Sequence, residues 1–128
     1  MGMRSVGRSD LKVSVLGLGC NNFGGRLARG APVPEGSRLA KTKPLADMFM
    51  TDRNFELAER YRTFAAARGH SLLDLSISWL LARKPVASVI AGASSPEQLE
   101  ANAMAVGWAL SSEDLAEIDH LAEASNSS

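Results

Sequence analysis

The sequence predicts an α/β fold, on three observations. An apolar run over Val13–Leu18 breaks into glycines at Gly17, Gly19, Gly24 and Gly25, within the stretch "VLGLGCNNFGG" at 15–25. Residues 86–91, "VASVIA", are short, β-branched and bounded by Pro85 and Gly92, the pattern of a buried strand. Between and after these two runs the apolar residues recur at helical spacing.

The elements follow in order. Residues 4–14 predict a small hairpin turning at Ser9-Asp10, leading into a buried strand over Val13–Leu18. Gly30, Pro32, Pro34 and Gly36 forbid a regular element between Gly24 and Lys43, so a long loop is expected there. After Asn54, Leu57, Ala58, Tyr61, Phe64 and Ala65 form one stripe of a helix that Gly69 stops. A second helix opens on the capping pair Ser71 and Asp74. Its Leu72, Leu73, Leu75, Ile77, Trp79, Leu80 and Leu81 leave almost no polar face, so it needs cover on most sides, and Pro85 ends it. After the 86–91 strand, Ser95 caps a third helix, with Pro96 at its first position and Gln98 closing a capping box. A last amphipathic helix opens at Ser111 or Ser112 and buries Leu115, Ile118 and Leu121; the "SNSS" tail frays. The expected organisation is a hairpin and first strand (1–23), a loop (24–53), a helix-helix-strand-helix-helix segment (54–124) and a tail (125–128). There is no internal repeat.

With 45% apolar residues, the 128-residue chain supports one modest core. Its formal net charge of zero gives no reason to expect a nucleic-acid or membrane partner. The charge is unevenly spread: residues 1–46 sum to +6 and residues 47–128 to −6, which either attracts an anionic ligand to the front or lets the two parts attract each other. Cys20 is the only cysteine, so no internal disulfide forms and a reducing compartment is expected. The start "MGMRSVGRSDLK" lacks a secretion signal, Val6 breaks the myristoylation pattern, and no apolar run has bilayer length; a cytoplasmic protein is expected.

Two motifs bear on ligands. The glycine run fails the dinucleotide fingerprint, because Asn22 stands where the third glycine belongs and a Pro-rich loop follows in place of a helix. It is a tight strand-to-loop turn or a close-approach site. The stretch "GASSPEQLEAN" puts a helix start at the end of a strand, where free N–H groups favour an anion. An ordinary well-capped helix has the same pattern.

"GRSDLKVSVLGLGCNNFGG" resembles the start of an aldo-keto reductase, and "SLLDLSISWLLARKPVASVIAGASSPEQLEANA" resembles the end of one, of the bacterial type related to potassium-channel β subunits. With the "PEGSR" loop the resemblance covers nearly the whole chain. It implies a (β/α)₈ TIM barrel, of which this chain is a fragment: the N-terminal hairpin and strand one joined to the last helix-strand-helix unit and a C-terminal helix. It also implies NADPH as cofactor for carbonyl reduction. On the resemblance, Cys20 and Asn21 fall at the nicotinamide end, Arg38 at the pyrophosphate, and Gly92, Ser94, Gln98 and Asn102 around the adenosine and its 2′-phosphate. Ala101 departs from the pattern, which has Glu there.

A barrel of this type needs about 250 residues, roughly twice what is present. The family's Asp, Tyr, Lys and His group belongs to strands two to four, and the sequence passes from "NNFGGRL" directly to "ARGAPVPEGSRLA". No substitute is evident. Tyr61, the only tyrosine, lies on a helix stripe; Lys12, Lys41, Lys43 and Lys84 sit at turns, loops or a helix end; His70 and His120 read as structural or solvated. No metal-ligand cluster can be assembled. The expectation is an internally truncated NADPH-dependent oxidoreductase without catalytic residues. The alternatives are a nucleotide-binding or protein-interaction module, or a truncated gene product. Strands one and eight would form a parallel pair covered by the two helices before Pro85, with open edges that invite self-association. The direct link between them would run left-handed, so either the loop distorts or the N-terminal strand packs elsewhere.

Overall fold

The computed structural model describes residues 1–19, 32, 35 and 47–124. The chain begins with a hairpin of β1 (Met3–Ser5) and β2 (Lys12–Ser14), antiparallel with Arg4 opposite Val13. The turn is held by the Val6 N–H on the Leu11 carbonyl at 2.9 Å and the Ser9 N–H on the Val6 carbonyl at 3.1 Å.

The expected single strand over Val13–Leu18 is in fact two. At Val15 the backbone changes sheet: its N–H donates to Gly2 across the hairpin, and its carbonyl accepts from Val89 at 2.9 Å. Beyond it β3 (Leu16–Gly19) runs parallel to β4 (Val89–Gly92), with Leu16 opposite Val89 and Gly19 opposite Gly92. The N-terminal strand therefore does not pack elsewhere. Among the described residues no third strand joins this pair.

The glycines of β3 have a packing role. Gly17 and Gly19 share a face with Ile90 of β4, and a Cβ on Gly19 would stand 3.1 Å from Ile90 Cγ2. Period-two alternation turns Leu16 and Val89 to the other face, where both are buried. The face that carries Ile90 is left open, at 74% exposure, and on the other face cover ends before Leu18, which is 61% exposed although it lies on the same side as Leu16. Full burial was expected from their apolar runs.

Helix α1 (Asp52–Ala66) starts two residues before the expected point, because the Thr51 hydroxyl caps the Asn54 N–H. It ends in a turn that reaches Gly69, which takes φ of 76°. Helix α2 (Leu72–Leu81) opens on a reciprocal Ser71–Asp74 capping box, as the sequence predicts. Helix α3 (Pro96–Met104) passes into a 3₁₀ turn, Ala105–Gly107, and α4 (Ser112–Ala124) opens on a second box between Ser111 and Asp114. In α4, Ile118 is buried while Leu115 and Leu121 are half-buried.

Helix α2 lies between two apolar clusters. Its Ile77 and Leu81 join Val15, Leu16, Val89 and Ala105 against the sheet. Its Leu75 joins Phe64 and Ala65 of α1 and Ile118 of α4, with Tyr61, Trp79 and Trp108 around them. This corrects the expectation that both helices before Pro85 cover the strands. Only α2 does; α1 has α2 and α4 to bury its stripe, and the 3₁₀ turn supplies the rest of the sheet's cover.

Candidate functional site

Because β3 and β4 are parallel and in register, they end together, and the chain leaves β4 through Ala93 and Ser94 straight into α3. This junction brings together four of the residues singled out in the sequence: Gly92, Ser94, Gln98 and Asn102. Ser95 is extended, and its hydroxyl accepts from the Gln98 N–H at 3.3 Å. The capping box does not close on Ser95 as expected. Gln98 Oε1 instead accepts from both the N–H and the hydroxyl of Ser94, at 2.8 and 2.9 Å. Asp74 and Asp114, by contrast, accept from the N–H of their own cap residues, Ser71 and Ser111.

Asn102 is the one buried residue of α3, at 7% exposure. Its Nδ2 donates to the Gly92 carbonyl at 3.2 Å, tying the helix to the end of β4. A buried amide without such a partner would be costly, so this bond fixes how α3 leaves the sheet.

The anion site expected at the α3 start is largely filled by the chain itself. Pro96 has no N–H, the Gln98 N–H is on Ser95, and the Ser94 N–H is on Gln98. The Glu97 carboxyl is held below its usual range by its own backbone N–H and then by the Ser95 hydroxyl. The cap that "GASSPEQLEAN" predicts at Ser95 is present. Glu97 was not singled out in the sequence, although an acid directly after Pro96 at a helix start is the signal that marks it.

Cys20, Asn21 and Arg38, the Gly24–Lys43 loop apart from exposed Pro32 and Glu35, and the 125–128 tail lie outside the described residues. The groups considered for proton transfer are dispersed. Tyr61 packs in the cluster on the α1 side of α2; burial, with Asp119 adding, raises its phenol above the ordinary value. His70 stacks on Trp108 with ring centroids 4.0 Å apart, and His120 is exposed beside Glu123. Lys12 lies in β2 rather than in a turn, and is exposed. Among the described residues no three His, Cys, Asp or Glu side chains gather to hold a metal ion, and no helix is long and apolar enough to cross a membrane.

The family model described as "Aldo/keto reductase family" matches residues 16–123. The chain belongs to the aldo/keto reductase family. Its curated relatives include L-glyceraldehyde 3-phosphate reductase of Escherichia coli O157:H7, 37% identical over 97 residues, and its counterpart in Escherichia coli strain K12, 35% identical over 97 residues. Each match covers 71% of this chain and only 28% of the relative. A glycerol dehydrogenase of Gluconobacter oxydans is similar in structure, with a TM-score of 0.60 at 22% identity, covering 75% of this chain and 29% of that one. That likeness establishes the fold: in this aldo/keto reductase chain, the β3–β4 pair and its helices are a fragment of the family's barrel. In such barrels the C-terminal ends of the strands carry the active site, and that is the end at which Gly92, Ser94, Gln98 and Asn102 meet.

Proposed function

We propose that this chain is a non-catalytic piece of an aldo/keto reductase that grips a nicotinamide dinucleotide by its adenosine end, at the junction of β4 and α3. The observation that carries this reading is the Asn102–Gly92 bond, which joins a buried helix amide to a strand end at the carboxyl edge of a parallel pair. The family resemblance implies NADPH, and Gly92, Ser94, Gln98 and Asn102 are the residues that would hold the adenosine portion; Cys20, Asn21 and Arg38 would meet the nicotinamide and pyrophosphate. The bound dinucleotide supplies the hydride in this family. Asn102 sets the angle of α3, and the Ser94–Gln98 pair shapes the loop before it.

The proposed lack of carbonyl reduction rests on the proton donor. Tyr61 is the only tyrosine of the sequence. It packs in a cluster away from the sheet, and burial makes its phenol a weaker acid. The test is a fluorescence titration with NADH and with NADPH, followed by an assay of aldehyde-dependent oxidation of whichever binds. Quenching or enhancement with at least one dinucleotide and no turnover above buffer is expected. No response to either at millimolar concentration removes the binding reading, and turnover removes the non-catalytic one.

A second reading, self-association through the strand pair, is favoured by one observation. Parallel sheets are ordinarily covered on both faces, yet Ile90 is 74% exposed. Light scattering tests it: a mass that rises with concentration supports it, and a constant monomer mass removes it.

A further inference from the structure

We infer that the α3 end of this site rejects a phosphate on the adenosine ribose, so that the dinucleotide it takes is the unphosphorylated one, NADH rather than NADPH. The inference rests on the dinucleotide reading above and deepens it.

A ribose phosphate carries close to two negative charges at neutral pH and is ordinarily met by Arg, by Lys or by unpaired backbone N–H groups. Among the described residues this junction offers little of any of these. The Ser94 N–H and hydroxyl are both spent on Gln98 Oε1, the Gln98 N–H on Ser95, and Pro96 has none. Residues 85–128, which form β4, α3 and α4, contain no Lys or Arg and seven Asp or Glu. Two of these acids, Glu97 and Glu100, lie in α3 itself. Glu97 is exposed in the first turn, where an ordinary glutamate is ionised at neutral pH, and its own backbone N–H and Ser95 hold its carboxyl below the usual range. A phosphate brought to this turn would meet a like charge already installed on the helix start.

The same arrangement suits an unmodified ribose. A carboxylate beside the adenosine accepts from ribose hydroxyls, which is how dinucleotide folds of another architecture distinguish the plain cofactor from the phosphorylated one. Arg38, assigned by resemblance to the pyrophosphate, does not discriminate, since both cofactors carry that group.

The experiment measures dissociation constants for NADH and NADPH by fluorescence on the full chain, with 5′-AMP and adenosine 2′,5′-bisphosphate as competitors. NADH is expected to bind at least tenfold more tightly, and 5′-AMP to compete better than the bisphosphate. Glu97→Arg, at an exposed position and with retained helical circular dichroism as the folding control, is expected to abolish or reverse the preference. NADPH binding as tightly as NADH overturns the inference while leaving the dinucleotide reading intact. A preference that survives unchanged in Glu97→Arg overturns the part given to Glu97. Binding of neither cofactor overturns the dinucleotide reading and this inference with it.

Discussion

Arg4 is a surface arginine by composition, yet its guanidinium reaches from the hairpin to the end of α2, where Nη1 donates to the Leu81 carbonyl at 2.8 Å and the Val86 carbonyl at 3.0 Å. Terminal helix carbonyls need such donors, and a charged donor is worth about 1.5–3 kcal/mol. Arg4→Met is expected to lower the stability by about that amount in urea titration; an unchanged midpoint would show the contact to be idle. Asp114 is held below the ordinary carboxylate range, first by the Ser111 N–H and further by the Ser111 hydroxyl and Arg68. A depressed carboxyl contributes stability above its unfolded pKa, about 3.9, and that contribution fades as pH falls through the lower folded value. Asp114→Asn should therefore be less stable than the parent at pH 7, with the gap closing below about pH 4. A gap that stays constant with pH would contradict the assignment.

Helix boundaries were the part of the structure most readable in advance, because caps are local. Ser71 with Asp74 announces its helix within four residues and the box forms, and of the two starts open for the last helix, Ser111 or Ser112, it is Ser111 that caps, in a box with Asp114. Ser71→Ala removes the acceptor for the Asp74 N–H and is expected to cost about 1 kcal/mol, read as a lower thermal midpoint. Ser76→Ala is the control: its hydroxyl bonds only to its own helix, at the Leu72 carbonyl, and the substitution should leave the midpoint nearly unchanged. The Ser95–Gln98 pair was legible as a cap, but its second bond was not, since reaching Ser94 rather than Ser95 depends on the course of the loop before the helix. The strands were less legible. An apolar run does not say where it changes partner, and the switch at Val15 is set by Gly2 on one side and Val89 on the other.

For the whole molecule the exposed strand face carries the prediction. Ile90 lies over Gly17 and Gly19 but is mostly in solvent, so Ile90→Asn should cost little stability while lowering any concentration-dependent mass seen by light scattering. An unchanged mass would move the association surface elsewhere. The amino-acid sequence by itself determined the family, the helices with the Ser71 and Ser95 caps, and the strand-to-helix junction at Gly92, while the β3–β4 pairing was one of two courses it left open. These are local patterns, or follow from the order of elements in a known barrel. Only the tertiary structure decided that α1 turns from the sheet toward α4, that one strand face stays bare, and that Ser94, Gln98 and Glu97 occupy the helix start themselves. Each depends on which apolar face finds a partner and which donor is already taken, and both are settled by distances between residues far apart in the chain or by the path of a single loop.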